Sequence, residues 1–240
     1  MTGLRWALGF LTILPVRPKG ELEPGQLGRA AIWYPAVGLA LGLCLWAAHG
    51  LLGIVVPATL TAGLTLALWV GLTGGLHLDG VADCGDGLLA SATPARRLEI
   101  LSDVHVGTFG VASLILVLLV KTLAIGSLAA STGLLLAPTI ARWTVLLLAR
   151  AKPARDGGLG GRLHAELGWP SLLWGLPLLA ACAWLGWQGV VALVLGLSTT
   201  WLLGRLAMAR LGGQTGDVLG ASIELVEVAV LVGFSLRWGG

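Results

Sequence analysis

The sequence predicts an all-α, polytopic integral membrane protein, a helical bundle of about seven spanning segments preceded by an N-terminal interfacial or re-entrant helix. Hydrophobic residues make up 56% of the 240 residues and charged residues 11%. This balance is typical of membrane proteins and excludes the soluble and disordered classes. No internal repeat or separate soluble segment interrupts the pattern, so we predict a single transmembrane helical domain over residues 1–240.

Seven apolar runs have about the length that a membrane-spanning helix needs. They are Ala30–Ala48, Gly53–Gly74, Val106–Ala130, Gly133–Arg150, Trp169–Leu185, Gly189–Leu203 and Ala221–Phe234. The first apolar segment, Leu4–Val16, is too short to span, contains Arg5 and ends near Pro15. Basic residues follow it where a signal peptide would carry small residues, so we interpret it as an interfacial or re-entrant helix.

The basic residues lie in alternate connections between the predicted spans. They are Arg17, Lys19 and Arg29, then Arg96 and Arg97, then Lys152, Arg155 and Arg162, and finally Arg205 and Arg210. The intervening short connections, residues 49–52, 131–132 and 186–188, contain no lysine or arginine. The positive-inside rule therefore predicts a multi-pass protein whose long basic loops face the cytoplasm and whose short turns face the other side.

Three of the few acidic residues lie within one short stretch, residues 75–87. Asp79, Asp83 and Asp86 stand at i, i+4 and i+7, the spacing that places side chains on one face of a helix. Unpaired carboxylates at this spacing would repel one another, and a divalent cation relieves that repulsion. Carboxylate oxygens without cysteine or paired histidine ligands favour Mg²⁺ or Mn²⁺ over zinc. The alternative is a solvated acidic loop between two helices.

A second cluster of glycine and polar residues lies at residues 212–220, just before the last apolar run. Its glycines allow close approach of the backbone to a ligand, and glycine-rich segments that open a helix bind phosphate in many proteins. The alternative is a simple connector. The residues predicted to bind substrate here are Gln214, Thr215 and Asp217, with Glu224 and Glu227 at the start of the following helix.

Thr93 and Pro94 predict the cap and first turn of a short surface helix that extends to about Asp103. We interpret Arg96 and Arg97 on this helix as charges for lipid headgroups or topology rather than as phosphate ligands. Asp103 is predicted to be functional, because Gly107 and Gly110 open a helix at the same surface. Gly107 and Thr108 are also predicted to contact substrate.

Two cations interrupt predicted spans, and an unpaired charge at that depth is costly. Lys121 either extends to the outer surface or faces the protein interior. Arg142 lies nearer the cytoplasmic end of its helix, which places it to bind a diphosphate or to neutralise Glu224 or Glu227.

Several of these runs together, in order and over most of the chain, resemble the cobalamin synthase family, the adenosylcobinamide-GDP ribazoletransferases. The runs are Phe10–Val16, Tyr34–Gly38, His77–Asp83, Leu98–Gly110 and Gly213–Ala221. The sequence departs from the expected pattern at Cys84–Gly85 and at His105, where arginine or another polar residue is expected. The second departure leaves the role of His105 open.

The resemblance implies that α-ribazole, or its 5′-phosphate, displaces GMP from adenosylcobinamide-GDP at the inner membrane with Mg²⁺ required. Such a transfer needs metal ions to spread negative charge and groups that hold donor and acceptor in line. Asp79, Asp83 and Asp86 would hold Mg²⁺ against the diphosphate. The predicted catalytic residues are His77, Asp79, Asp83 and Asp103, and one aspartate or His77 would accept the hydroxyl proton.

Two alternatives remain open from the sequence: another integral membrane transferase that binds diphosphate, and a divalent-cation transporter. A transporter should carry carboxylates near the bilayer midplane on several helices, whereas the acids here cluster at one face and in loops. This distribution favours an enzyme. The expected partners are the two substrates and the lipid bilayer; no nucleic acid is expected, and the oligomeric state is open, a homo-oligomer included.

Overall fold

The structure is a computed structural model that describes residues 2–16, 18, 20–128, 131–155 and 157–237. Among these residues there is no β-strand, which confirms the predicted all-α class. The helices are α1 (Thr2–Leu11), α2 (Gln26–Ala31), α3 (Tyr34–Val55), α4 (Ala58–Thr73), α5 (Leu76–Leu89), α6 (Pro94–Ile100), α7 (Thr108–Gly126), α8 (Thr132–Leu148), α9 (Leu159–Glu166), α10 (Gly175–Trp184), α11 (Gly186–Leu211) and α12 (Gly216–Ser235), with a 3₁₀ turn at Trp169–Leu172. Arg17, Lys19 and Ala130, which belong to predicted loops and spans, lie outside the described residues.

Each of the seven predicted apolar runs overlaps a helix, and the molecule is a multi-pass helical membrane bundle. Within the described part of the chain, α3, α7, α11 and α12 are long and apolar enough to cross a membrane. The number rises to six if two bent pairs, α4 with α5 and α9 with α10, each form one span. The remaining apolar helix, α8, has 17 residues. The predicted count of about seven thus rests on helices that are short or bent, which run length alone does not reveal.

A sharp bend separates α4 from the acidic helix α5, whose axes differ by 93°. Gly74 and Gly75 make this turn with φ values of +65° and +68°, in the left-handed region that favours glycine. The backbone N–H of Ile13 donates to the Leu72 carbonyl at 2.9 Å, so the chain that follows α1 crosses this end of α4. The bend therefore turns the carboxylates of α5 away from the α4 axis.

Helix α8 lies at the centre of the bundle, where it packs against α3, α11 and α12. Glycines on α3 allow close contact with α8: a Cβ at Gly38 would clash with the Pro138 carbonyl oxygen, and a Cβ at Gly42 would lie 2.7 Å from the Leu135 carbonyl oxygen. Close backbone approach through glycine is a common way for membrane helices to associate. The buried α8 and α12 thereby form the scaffold on which the other helices are arranged.

The long connections meet at one end of the bundle, as their shared basic character predicted. Arg155 donates to the Ser102 hydroxyl at 2.7 Å, and its second guanidinium nitrogen lies 3.7 Å from the Asp217 carboxylate. Arg162 donates to the Leu22 carbonyl at 2.8 Å. Connections from four parts of the sequence are thus joined by hydrogen bonds and an ion pair.

The interpretation of Arg97 as a lipid or topology charge is wrong. Helix α6 begins as predicted, with the Thr93 hydroxyl accepting from the Arg96 N–H at 3.4 Å. The Arg97 side chain, however, is buried and donates to the carbonyls of Gly87 and Leu88 at 2.9 and 2.6 Å. These carbonyls belong to the last turn of α5 and have no partner within the helix, so Arg97 caps the acidic helix.

Candidate functional site

The acidic stretch forms helix α5, so the predicted helical spacing of its aspartates is correct. Gly75 is the N-cap, and Asp79 lies in the first turn. Asp79 is exposed, whereas Asp83 and Asp86 are half-buried. Gly80, one residue after Asp79, faces helix α12 so closely that a Cβ there would lie 2.6 Å from the Asp217 carbonyl oxygen. The carboxylates of α5 are therefore presented next to the start of α12.

Asp86 has a different environment from the other two aspartates. Its carboxylate accepts the backbone N–H groups of Gly107 at 2.7 Å and Gly110 at 2.9 Å, the first turn of α7. A negative side chain at this position satisfies free N–H groups and complements the helix dipole. A Cβ at Gly107 would lie 2.6 Å from an Asp86 oxygen, so the glycine is needed for this cap. Gly107 contacts Asp86 here, and Thr108 is exposed at the start of the helix.

The second glycine cluster opens helix α12, as the sequence suggested. Thr215 is the N-cap and accepts from the Val218 N–H at 3.3 Å, and its hydroxyl donates to Asp217 at 3.2 Å. Gln214 is buried, and its side-chain amide donates to the Gly160 carbonyl at 3.1 Å. Gln214 thus holds the preceding loop in place, while Thr215 and Asp217 define the start of α12.

A cavity of about 510 Å³ lies between the starts of α5 and α12. It brings together Asp79 and Asp217, two acidic residues that are far apart in the sequence. The residues that line it are Gly9, Phe10, Leu11, Tyr34, Leu76, His77, Asp79, Gly80, Val145, Arg155, Gly158, Leu159, Leu163, Gly216, Asp217, Leu219, Gly220 and Ile223. This volume is in the range of small-molecule sites, and the cavity is the strongest candidate for the active site.

Sequence reasoning missed two contributors to this cavity. Arg155 was assigned only to a basic loop, yet it lines the cavity beside Asp217. Helix α1 also forms part of the wall, through Phe10 and its neighbours. The membership of Arg155 depends on contacts with Ser102 and Asp217, which are remote in sequence, so no local motif could have revealed it.

Four buried charged side chains form an ion network inside the bundle. Lys121 of α7 donates to Glu224 at 2.7 Å and also to Glu227, both on α12, and Arg142 of α8 donates to Glu227. Lys121 also lies 4.1 Å from the centre of the Trp69 ring. The option that Lys121 extends to the outer surface is therefore wrong, since its side chain is 1% exposed.

The network confirms that Arg142 neutralises a glutamate. Arg142, Glu224 and Glu227 are not part of the cavity wall, but the cavity reaches their neighbours Val145 and Ile223. Four charges on three helices sum to zero, which makes their burial tolerable. Arg142 pairs with Glu227, and Lys121 joins Glu224 to Glu227, so these predicted substrate-binding residues pair within the bundle in this structure.

Asp103 and His105 lie outside the cavity wall. The Asp103 carboxylate accepts hydrogen bonds from the His105 ring Nδ1 at 2.7 Å and from the His105 backbone N–H at 3.0 Å. These hydrogen bonds lower the pKa of the Asp103 carboxyl below its usual value. Both side chains are exposed, so the pair forms a local turn at the surface near the start of α7.

The donor chemistry of the cavity fits a hard divalent cation. Asp79 and Asp217 line the cavity. Asp83 and Asp86 are not part of its wall, but the carboxylates of Asp79, Asp217 and Asp86 lie within Coulombic range of Asp83. Within the described ranges, no three histidine, cysteine or acidic side chains are arranged as a complete metal-binding group. That is the ordinary situation for Mg²⁺, which takes one or two carboxylates and completes its shell with water and substrate phosphates.

The fold and the cavity define a multi-pass helical membrane protein with an acidic site at the end of the bundle where its basic loops meet. Comparison with known proteins then gives its family. The family model for cobalamin-5-phosphate synthase matches residues 3–235, and the chain belongs to this family.

Curated relatives agree with this assignment over nearly the whole chain. A protein of Ectopseudomonas mendocina (strain ymp) named adenosylcobinamide-GDP ribazoletransferase is 47% identical, covering 98% of this chain and 99% of the relative. Proteins of the same name from Stutzerimonas stutzeri (strain A1501) and Desulfitobacterium hafniense (strain Y51) are 46% and 42% identical, covering 100% and 95% of this chain and 100% and 94% of the relatives. No solved structure matches the chain. The protein is an enzyme, a transferase of cobalamin synthesis.

Proposed function

We propose that the chain joins α-ribazole, or its 5′-phosphate, to adenosylcobinamide-GDP and releases GMP. The names of the relatives support this reaction, since each is called an adenosylcobinamide-GDP ribazoletransferase. The observation that carries the proposal is the cavity itself. Two Asp/Gly clusters more than a hundred residues apart form one acidic cavity that also contains an arginine. Membership of the family also argues against the cation transporter considered from the sequence.

The balance of atoms fixes which bond forms. A ribazole hydroxyl attacks the phosphorus that bears the cobinamide, a new P–O bond forms, and the P–O bond to GMP breaks. GMP leaves with its phosphate, and the hydroxyl proton passes to a protein base. We assign this base to Asp217, which lines the cavity and is oriented by the Thr215 hydroxyl at 3.2 Å.

Asp79 and Asp83 would hold Mg²⁺, since they lie one turn apart on the face of α5 that approaches α12. When bound, the cation would neutralise charge on the diphosphate and on the departing phosphate. This division of roles leaves Asp86 as the cap of α7.

Arg155 would bind diphosphate oxygens from the opposite side of the cavity. Its guanidinium is held by Ser102 and lies beside Asp217, so its position is fixed before substrate arrives. The backbone N–H groups that open α12 provide further donors, because the first turn of a helix has free N–H groups that favour an anion. Donors on α12 and a cation from the loop would together align the diphosphate for displacement.

The decisive test is GMP release by the purified protein in lipid nanodiscs. With adenosylcobinamide-GDP and α-ribazole together, and Mg²⁺ present, we expect GMP and the joined corrinoid product in equal amounts. Chelation of the metal should abolish release, and restoring Mg²⁺ should recover it. Release of GMP without α-ribazole, or no release under any of these conditions, would contradict the proposed transfer.

We further propose that the cavity faces the cytoplasm, on the inner membrane, because the basic loops gather at its end of the bundle. Cysteine labelling tests this. Cys84 is buried and unsuitable, and Cys44 is exposed and should first be changed to serine. Ser91→Cys, in the basic connection after α5, should react with a membrane-impermeant thiol reagent only from the cytoplasmic side. Ser131→Cys, at the start of α8, should react only from the other side. The reverse pattern would place the cavity outside.

A further inference from the structure

The wall of the cavity contains a polar side chain that the transfer chemistry leaves without a role. His77 lines the cavity and is 4% exposed. Its Nδ1 is buried and has no hydrogen-bond partner among the residues that the structure describes. Buried polar groups in folded proteins nearly always have a partner. No hydrogen bond joins either ring nitrogen of His77 to the described residues, so a ligand that enters the cavity meets an imidazole that is free to pair with it.

The rest of the cavity wall restricts the chemistry of that ligand. His77 also lies within Coulombic range of the buried Arg142, Glu227 and Lys121, but none of these three residues lines the cavity. The same cavity is lined by Tyr34 from α3, Val145 from α8, and Leu219 and Ile223 from α12. Except for the tyrosine hydroxyl, these side chains offer only apolar and aromatic surface. A ligand moiety that suits them is a flat, mostly apolar ring with very few hydrogen-bonding atoms.

We propose that this part of the cavity binds the benzimidazole base of the ribazole acceptor, with His77 donating a hydrogen bond to the free ring nitrogen. The inference rests on the proposed function, which supplies ribazole as the substrate. Its base is an apolar bicyclic ring in which one nitrogen carries the ribose and the other has a free lone pair. A single imidazole donor in an apolar wall matches a single acceptor in an apolar ring.

Guanine, the other base in the reaction, fits this wall poorly. It carries several donors and acceptors around its ring. The other polar groups of the cavity, Asp79, Arg155 and Asp217, are assigned to the cation, the diphosphate and the hydroxyl proton, so guanine beside the imidazole and the phenol would leave most of its polar atoms unpaired. The cavity of about 510 Å³ also has the size that encloses a nucleoside. The much larger corrinoid must stay outside it, with only the reacting diphosphate reaching the carboxylates.

The test compares α-ribazole with the matching riboside of 5,6-dimethylindole, in which a C–H group replaces the free ring nitrogen. GMP release by the full-length protein in nanodiscs gives KM for each acceptor. The wild type should show a KM at least about tenfold higher for the indole analogue. His77→Phe should raise the KM for α-ribazole to that of the analogue and leave the KM for the analogue almost unchanged. The ratio of the analogue's KM to that of α-ribazole then falls to about one.

Two further variants keep the result specific to His77. Tyr34→Phe removes another polar group from the same cavity and should keep the wild-type ratio. His77→Gln retains a hydrogen-bond donor and should restore part of the wild-type KM ratio. This variant also tests the inference if His77→Phe does not fold. A wild-type ratio near one, or an unchanged ratio in both His77 variants, would overturn the inference.

The design separates this inference from the proposed function. If the wild type releases GMP normally but does not distinguish the two acceptors, only the inference fails. If no GMP is released, the proposed function fails, and equilibrium dialysis with labelled α-ribazole and the analogue still decides the inference. A binding preference for α-ribazole that disappears in His77→Phe would support it, and equal binding of both acceptors would refute it.

Discussion

Replacing Asp79 or Asp83 with asparagine should lower turnover by about 10³-fold while membrane insertion and expression stay normal. Each substitution removes a negative charge that would hold Mg²⁺ against the diphosphate, and loss of that stabilisation costs several kcal/mol in the transition state. Neither change removes apolar packing, because Asp79 is exposed and Asp83 is half-buried. Steady-state GMP release measured over a range of Mg²⁺ concentrations gives the effect.

Asp86→Asn is the matched control, since the sequence places Asp86 on the same helix face but the structure uses it as a cap. Its carboxylate holds the N–H groups of Gly107 and Gly110, so the variant should lose thermal stability and keep the wild-type dependence on Mg²⁺. Near-normal turnover of Asp79→Asn and Asp83→Asn at limiting Mg²⁺ would refute their role as metal ligands. A weakened Mg²⁺ dependence in Asp86→Asn would return that residue to the metal site.

Lys121→Met should destabilise the protein by about 3–5 kcal/mol, the cost of leaving a buried charge without its partner. Lys121 is the partner of both glutamates in the buried network, and Glu224 has no other ion-pair partner there. The variant therefore leaves Glu224 unpaired within the bundle. Unfolding in mild detergent, followed by far-UV circular dichroism at fixed protein concentration, measures the change.

Arg142→Met is the matched comparison and should be less damaging, because Glu227 keeps its pairing with Lys121 when the arginine is removed. The double variant Lys121→Met with Glu224→Gln should regain much of the lost stability, since it removes the unpaired charge together with its partner. Equal losses for the two single variants, or no recovery in the double variant, would show that the ion pairs do not decide this stability.

The sequence by itself determined the features that depend on local pattern. Composition and run length predicted an all-α membrane bundle, the i, i+4, i+7 spacing placed the aspartates on one helical face, and Thr93–Pro94 marked the start of α6. Such signals are readable because helix periodicity, capping and membrane transfer act over a few residues or over average composition. The alternation of basic loops likewise predicted that these loops share one end of the bundle.

Only the tertiary structure decided what each charged residue contacts. From the sequence, Asp86 was predicted to be a metal ligand and Arg97 a surface charge. In the structure both cap helix ends through contacts with other segments. Lys121 pairs with a glutamate 103 positions away, and Arg155 joins the cavity through Ser102 and Asp217. The physical reason is that the partner of a buried charge is set by helix packing. Glycines on α3 and α5 fix that packing by close backbone approach, and no local spacing encodes which helix will be the neighbour.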